Sequence, residues 1–376
     1  MLYHLFNYLK EFYDIPGIGL MNSIVFRAAS AAITALLISF VFGPRIIKMM
    51  RKHLIGEQAK SELQQIGHHS EKAGTPTMGG FIVLASLIIP TLLFAPLNNA
   101  FIILIVITTL WLGLVGFLDD YLKVVKKKKK GLIGKYKIVG QVLIGLVLGG
   151  VIFFCPDLFY HGFDKVNTLT TVPFAKNLSI DFGLLYIPIV IFILTATSNA
   201  VNLTDGLDGL SIGTVGIAAL AITVVAYVTG NYRFADYLNI IYLKGSGELV
   251  IFTGALVGAA LGFLWYNTYP ARIFMGDTGS LALGGAIGAL MILLKKELLI
   301  PIVGGVFFAE TVSVLIQVSY FKYTKKKYGE GKRFFKIAPI HHHFEKSGWH
   351  ESTIVVRFYI VAIMLAIITM ATFKVR

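Results

Sequence analysis

Apolar residues fill this chain in long uninterrupted runs, and the polar positions gather where those runs end. Ten segments have about the length a bilayer core requires, near 22–42, 79–96, 100–118, 138–155, 184–202, 210–229, 249–267, 280–294, 300–321 and 353–373. Each predicts a helix, because a backbone in hydrocarbon has no water to bond and must satisfy its own polar groups. The first twenty residues, LYHLFNYLKEFY and then a Pro-Gly turn, predict an amphipathic helix lying in the membrane interface. Polar and apolar residues alternate over 157–183, which predicts a short hairpin there. The expectation is an all-α polytopic membrane protein. It forms one integral membrane domain over 1–376, with loops at about 43–78, 119–137, 203–209, 268–279 and 322–352 on one face.

Composition agrees with that pattern: 14% of residues are charged, against about 25% in a soluble domain. The net charge of +14 would suggest nucleic acid in a soluble protein, but its placement says otherwise. Those five loops hold 23 of the 34 lysines and arginines, so the positive-inside rule makes them cytoplasmic and leaves both termini periplasmic. The run Lys126–Lys130 lies a few residues from a span and reads as a topology signal that also attracts anionic lipid head groups. One cysteine, Cys155, excludes a disulfide framework and a thiolate metal cage.

The chemistry sits on that same loop face. Asp119 and Asp120 stand side by side at the exit of the run Phe101–Leu118, where packing gives no reason for adjacent carboxylates. In NAVNLTDGLDGL, residues Asn199, Asn202, Asp205 and Asp208 recur at a spacing of three, along one side of a helix end. One such residue would serve as a cap; four suggest a site. In FMGDTGS, just ahead of an apolar helix, Asp277 or Thr278 reads as an N-cap, or Asp277 as an anion that brings a divalent cation to phosphate at a helix start. KAGTPTMGG, which holds Lys72 and Thr77, is either a plain connection or a source of N–H groups for an anion, and it lacks Walker A spacing.

APIHHHFE is the most distinctive stretch. Adjacent helical residues point about 100° apart, so His341, His342 and His343 cannot all ligate one ion. They read as donors to a phosphate or sugar, with Glu345 holding one imidazole. Many oxygen ligands, no thiolates, and scattered lysine and histidine suit Mg²⁺, or Mn²⁺, in phosphoryl transfer. A site at the inner membrane face implies one lipid substrate and one soluble, charged one. A transporter would also have polar helix ends, but transporter sites lie near the bilayer midplane and these acids lie at one surface.

Through KAGTPTMGG, GFLDDYLK, NLTDGLDGL, FMGDTGS and APIHHHFE, the chain resembles the polyprenyl-phosphate N-acetylhexosamine-1-phosphate transferases from about Glu71 to Glu345. The histidine motif is similar to that of the branch handling phospho-MurNAc-pentapeptide; relatives that transfer GlcNAc-1-phosphate are the alternative. The resemblance implies a ten-helix, dimeric, Mg²⁺-dependent enzyme of the bacterial inner membrane. It would move phospho-MurNAc-pentapeptide from UDP-MurNAc-pentapeptide to undecaprenyl phosphate, giving lipid I and UMP, with membrane lipids as surroundings and no nucleic acid as partner.

By motif, the resemblance implies Asp277 as metal ligand, with Asp119 and Asp120 beside the lipid phosphate and as further candidate ligands. Asn202, Asp205 and His341 would complete the catalytic cleft. It implies Lys72, Gly206, Leu207, Asp208, Asn267 and Phe274 for a uridine pocket. Lys135 would contact phosphate, Gln317, Ala338 and His342 would lie toward the sugar-peptide, and Thr77 and His343 are further substrate-binding candidates. Direct attack by the lipid phosphate and a covalent aspartyl-phosphate at Asp119 or Asp120 both remain open on these residues.

Overall fold

The structure is a computed structural model that describes residues 1–12, 17–53, 75–128, 131–175 and 178–374. Fourteen helices follow one another among those residues: α1 (Leu2–Phe12), α2 (Ile24–His53), α3 (Gly80–Phe94), α4 (Ala100–Val124), α5 (Gly134–Phe154), α6 (Tyr186–Thr204), α7 (Leu210–Thr229), α8 (Tyr232–Tyr237), α9 (Leu249–Asn267), α10 (Gly276–Leu293), α11 (Ile300–Val303), α12 (Gly305–Tyr328), α13 (Ile340–Lys346) and α14 (Glu351–Lys374). Eight of them are long and apolar enough to cross a membrane, α11 and α12 form a bent apolar pair that makes a ninth when counted as one span, and α3 is a shorter apolar helix. All ten predicted segments are therefore helical, and the protein is a multi-pass membrane protein.

Burial separates centre from rim. Across its most apolar window α10 is 89% buried and α14 only 22%, so α10 is the axis of the bundle and α14 faces lipid. α10 packs on α4 and α6, and α9 packs on α2, α3 and α7. Without a hydrophobic drive between helices in lipid, such close packing depends on small residues at the contacts. A Cβ on Gly116 of α4 would lie 2.1 Å from the Asp277 carbonyl oxygen, and one on Gly80 would lie 2.3 Å from the Gly279 nitrogen. These two glycines bring the start of α3 and the last turns of α4 onto the start of α10.

Three boundaries differ from the expectation. The loop expected at 119–137 is largely helix: α4 continues through Asp119 and Asp120 to Val124, and α5 already begins at Gly134. The span expected over 300–321 is broken by 85°, at Gly304, whose φ of −101° and ψ of 23° leave the helical region. α10 starts at Gly276, ahead of the expected 280, so Asp277 lies in its first turn.

The expected hairpin is present as β1 (Leu169–Thr171) and β2 (Ser179–Asp181), antiparallel, with Thr170 opposite Ile180. It is fastened to the far end of α10. The Lys295 ammonium bonds the Asn167 carbonyl and the Tyr186 hydroxyl, Lys296 donates to Thr171 Oγ1 at 3.0 Å, and Tyr186 donates to Glu297 at 2.9 Å. On the same face the buried Arg27 makes a two-pronged ion pair with Glu248, tying α2 to α9. The amino terminus donates to Leu93 O at the end of α3, and Lys296 lies 6.0 Å over the Phe373 ring of α14. Because α3 and α10 start side by side, both chain ends share the hairpin face.

Candidate active site

The opposite face collects the ends of α4 and α6 and the starts of α5, α7, α10 and α14. Carboxylate oxygens of Asp119, Asp120 and Asp277 all lie within 4.8 Å of one another. The two adjacent aspartates face different tasks. Asp120 accepts from the Asp277 N–H at 3.1 Å, the Thr278 N–H at 2.9 Å and the Thr278 hydroxyl at 2.6 Å. These are free N–H groups of the first turn of α10, which has no cap from its own sequence. Asp120 therefore caps α10 from another helix, where its charge also suits the helix dipole. That is a packing reason for the second carboxylate, which the sequence reading had not found.

Asp119 turns to basic groups instead. Its Oδ1 accepts from the Leu132 N–H at 2.7 Å, and the ammonium groups of Lys123 and Lys137 both contact it. The same two lysines reach Asp277, Lys123 at 3.4 Å and Lys137 closer. Asn202 donates to Asp277 Oδ1 at 3.0 Å and to Ser280 Oγ at 2.8 Å, holding the carboxylate from the other side. Asp119 and Asp277 thus converge on a place already favourable to positive charge. An all-oxygen donor set there fits a hard divalent cation.

The stripe Asn199, Asn202, Asp205, Asp208 does not stay together, because α6 ends at Thr204. Asn199 turns to Gln141, 3.1 Å away on α5, and Asn202 reaches the acids. Asp205 is the first residue past the helix, with φ −80° and ψ 53°. Asp208 accepts from the Ala271 N–H at 2.9 Å, and its own N–H donates to Glu351. Asn267 accepts from Gly209 N–H at 3.1 Å and donates to the Ile273 carbonyl at 2.9 Å. Asp208 and Asn267 thus pin the 205–209 and 268–275 loops to each other. Leu207 is buried against Ile354 and Val355 of α14.

Thr77 is buried in the segment leading to α3, where Pro76 and Gly79 exchange main-chain bonds with Phe274 at 2.8 Å each. That pairing leaves the Phe274 ring half-buried beside the acids' helix start. Lys72 lies outside the described residues. Gly206 lies under the His341 ring: a Cβ there would sit 2.3 Å from Nε2. His342 Nδ1 lies 3.0 Å from Glu345, the partner expected of one histidine, and His343 Nδ1 accepts from the Lys336 N–H at 3.1 Å. Gln317 accepts from the N–H groups of Phe334 and Phe335 at 3.1 and 2.9 Å, shaping the strand that carries Ala338 toward α13.

Lys135 is exposed and away from the acids; the lysine of α5 that reaches them is Lys137. Two helical positions differ by about 200° in direction, so only one of the pair faces α4 and α10. That face was readable once α5 was started at Gly134. Thr278, Ser280 and Glu310, which contacts His341, were also missed. Glu310 had a signal in the sequence: an ionisable residue inside an apolar run.

The family described as glycosyl transferase family 4 matches residues 102–295, more than half of the chain. Phospho-N-acetylmuramoyl-pentapeptide-transferase of Chloroherpeton thalassium is 51% identical over 376 residues, covering all of both chains. The proteins of the same name from Amoebophilus asiaticus and Flavobacterium psychrophilum are 50% and 48% identical, again over the full length of each. With identities near one half over the full length of these relatives, the chain belongs to the phospho-N-acetylmuramoyl-pentapeptide-transferase family.

Proposed function

We propose that the protein transfers phospho-MurNAc-pentapeptide from UDP-MurNAc-pentapeptide to undecaprenyl phosphate at the cytoplasmic face of the bacterial inner membrane, forming lipid I and UMP. An oxygen of the lipid phosphate attacks the β-phosphorus, the bond from that phosphorus to the bridging oxygen breaks, and UMP leaves. The observation that carries the reading is the convergence of Asp119 and Asp277 between two lysines at the mouth of a bilayer-length bundle. The charge bias of the loops supports the cytoplasmic orientation.

Asp277 and Asp119 would hold Mg²⁺, which when bound supplies charge neutralisation on the diphosphate. Lys123 and Lys137 supply further positive charge for phosphate oxygens, and Asn202 fixes the Asp277 carboxylate. Asp120 spends three donors on the helix start, and Asp119 is surrounded by two ammonium groups and an N–H. With their oxygens already engaged by these donors, neither carboxylate is free to attack phosphorus, which favours direct attack over a covalent aspartyl-phosphate. A phosphate monoester has a second pKa of about 6, so at neutral pH the lipid nucleophile is already largely ionised and needs little help from a base. Phe274, half-buried just ahead of α10, would stack on the uracil, and the His341–His343 turn would face the sugar-peptide.

The test is UMP release by purified protein given UDP-MurNAc-pentapeptide, undecaprenyl phosphate and Mg²⁺. UDP-GlcNAc is the control donor. Turnover with the first and none with the control is expected; the reverse would assign the chain to GlcNAc-1-phosphate transfer.

A further inference from the structure

Glu310 lies on α12, inside the bent span, fully buried, and no role in the reaction just described calls for it. Its Oε2 is 3.1 Å from Nδ1 of His341, also fully buried, and 3.5 Å from the His341 backbone N–H. Oε2 approaches Nδ1 at ion-pair distance, and among the described residues none of Nδ1, Nε2 and Glu310 Oε1 makes a hydrogen bond of regular geometry. Nε2 presses on the Cα of Gly206, so close that a Cβ there would sit 2.3 Å away. A nitrogen lone pair against a C–H is tolerated in such a place, whereas an N–H without an acceptor bears the full desolvation cost. The carboxylate therefore sets the proton on Nδ1 and leaves Nε2 as the acceptor.

We propose that Glu310 is a positioning residue for the transfer: it fixes the ring and tautomer of His341, which presents an Nε2 lone pair to the 205–209 loop. The inference rests on the function proposed above. Gly206 is joined directly to Asp205 and lies four residues from Asn202, the side chain that holds Asp277. A ring locked by Glu310 thus sets where that loop stands relative to the acids.

The experiment compares wild type, Glu310→Gln, Glu310→Leu, His341→Gln and the double variant Glu310→Leu/His341→Gln in lipid nanodiscs. Each is assayed for UMP release, with ring ¹⁵N resonances of labelled histidine assigned through His341→Gln. Wild type is expected to show one protonated and one bare ring nitrogen at His341, with Nδ1 protonated. Glu310→Leu should lower kcat on the order of 10- to 100-fold, the usual cost of losing a carboxylate that orients a functional histidine, with little change in either KM. Glu310→Gln, whose amide oxygen still accepts from Nδ1–H, should recover most of that loss. The double variant should be no slower than His341→Gln alone, because the two residues act as a unit.

An imidazolium at His341 in the wild type, an Nδ1–H tautomer that survives Glu310→Leu, or additive losses in the double variant would each overturn the proposal. Should Glu310→Leu fail to fold, the wild-type spectrum and Glu310→Gln still decide it. If wild type releases no UMP at all, the proposed function falls, while the spectrum judges the Glu310–His341 pairing separately.

Discussion

Replacing Asp120 by Asn separates the two adjacent carboxylates most cleanly. The side chain is 3% exposed and its two oxygens take three donors from the first turn of α10. The least damaging amide orientation keeps oxygen toward both Thr278 donors and turns NH₂ toward the Asp277 N–H. One hydrogen bond to a charged acceptor is then lost, about 1.5–3 kcal/mol. Loss of the negative charge at the helix start adds about 0.3–1 kcal/mol. The sum, about 2–4 kcal/mol, should lower the melting temperature in nanodiscs on the order of 5 °C. Turnover should fall as well, because the N–H that no longer bonds belongs to Asp277. Melting followed by intrinsic fluorescence, alongside UMP release, reads both effects. Abolished turnover with an unchanged melting temperature would refute the capping argument and make Asp120 a participant in the chemistry.

Asp277→Asn should instead abolish turnover with little change in melting temperature, since Asp277 is held at the mouth by Lys137 and Asn202 rather than filling a core position; the same paired assay checks it. Lys137→Ala should reduce kcat at least about 100-fold, the scale of losing one preorganised charge at a reacting group, while Lys135→Ala should leave turnover close to wild type. Gly116→Ala puts a methyl group 2.1 Å from the Asp277 carbonyl oxygen and should destabilise by about 1–3 kcal/mol, lowering turnover without removing any reactive group, as melting and kcat together would show. Chelation of divalent cations should stop UMP release and re-addition of Mg²⁺ should restore it; persistence after chelation would exclude the metal role of Asp119 and Asp277.

The spans were legible because apolar length alone determines them, and the loop-facing motifs were legible because polar groups at helix ends are costly in a membrane. The division of labour between Asp119 and Asp120 was not, since the donors that claim Asp120 lie 157 and 158 residues away and no local pattern reports them. Lys135 and Lys137 are equivalent in a segment that reads as a loop; only a helix from Gly134 assigns faces to the two lysines. The break at Gly304 was hidden by the unbroken apolar run on either side, which satisfies the length rule whether or not the helix bends. Glu310 lay inside that same run and belonged to no motif, so its partner His341 appeared only when α13 folded back onto α12.

The hairpin rim has a mechanical consequence. There α10 is fastened to the hairpin and α6 through Lys295, Lys296, Glu297 and Tyr186, and α2 to α9 through Arg27 and Glu248. Staves hooped at one end can splay only at the other. A carrier that alternates its opening between two compartments needs both rims to part in turn. This bundle, tied at the hairpin rim, is instead free to adjust only at the rim that carries the acids.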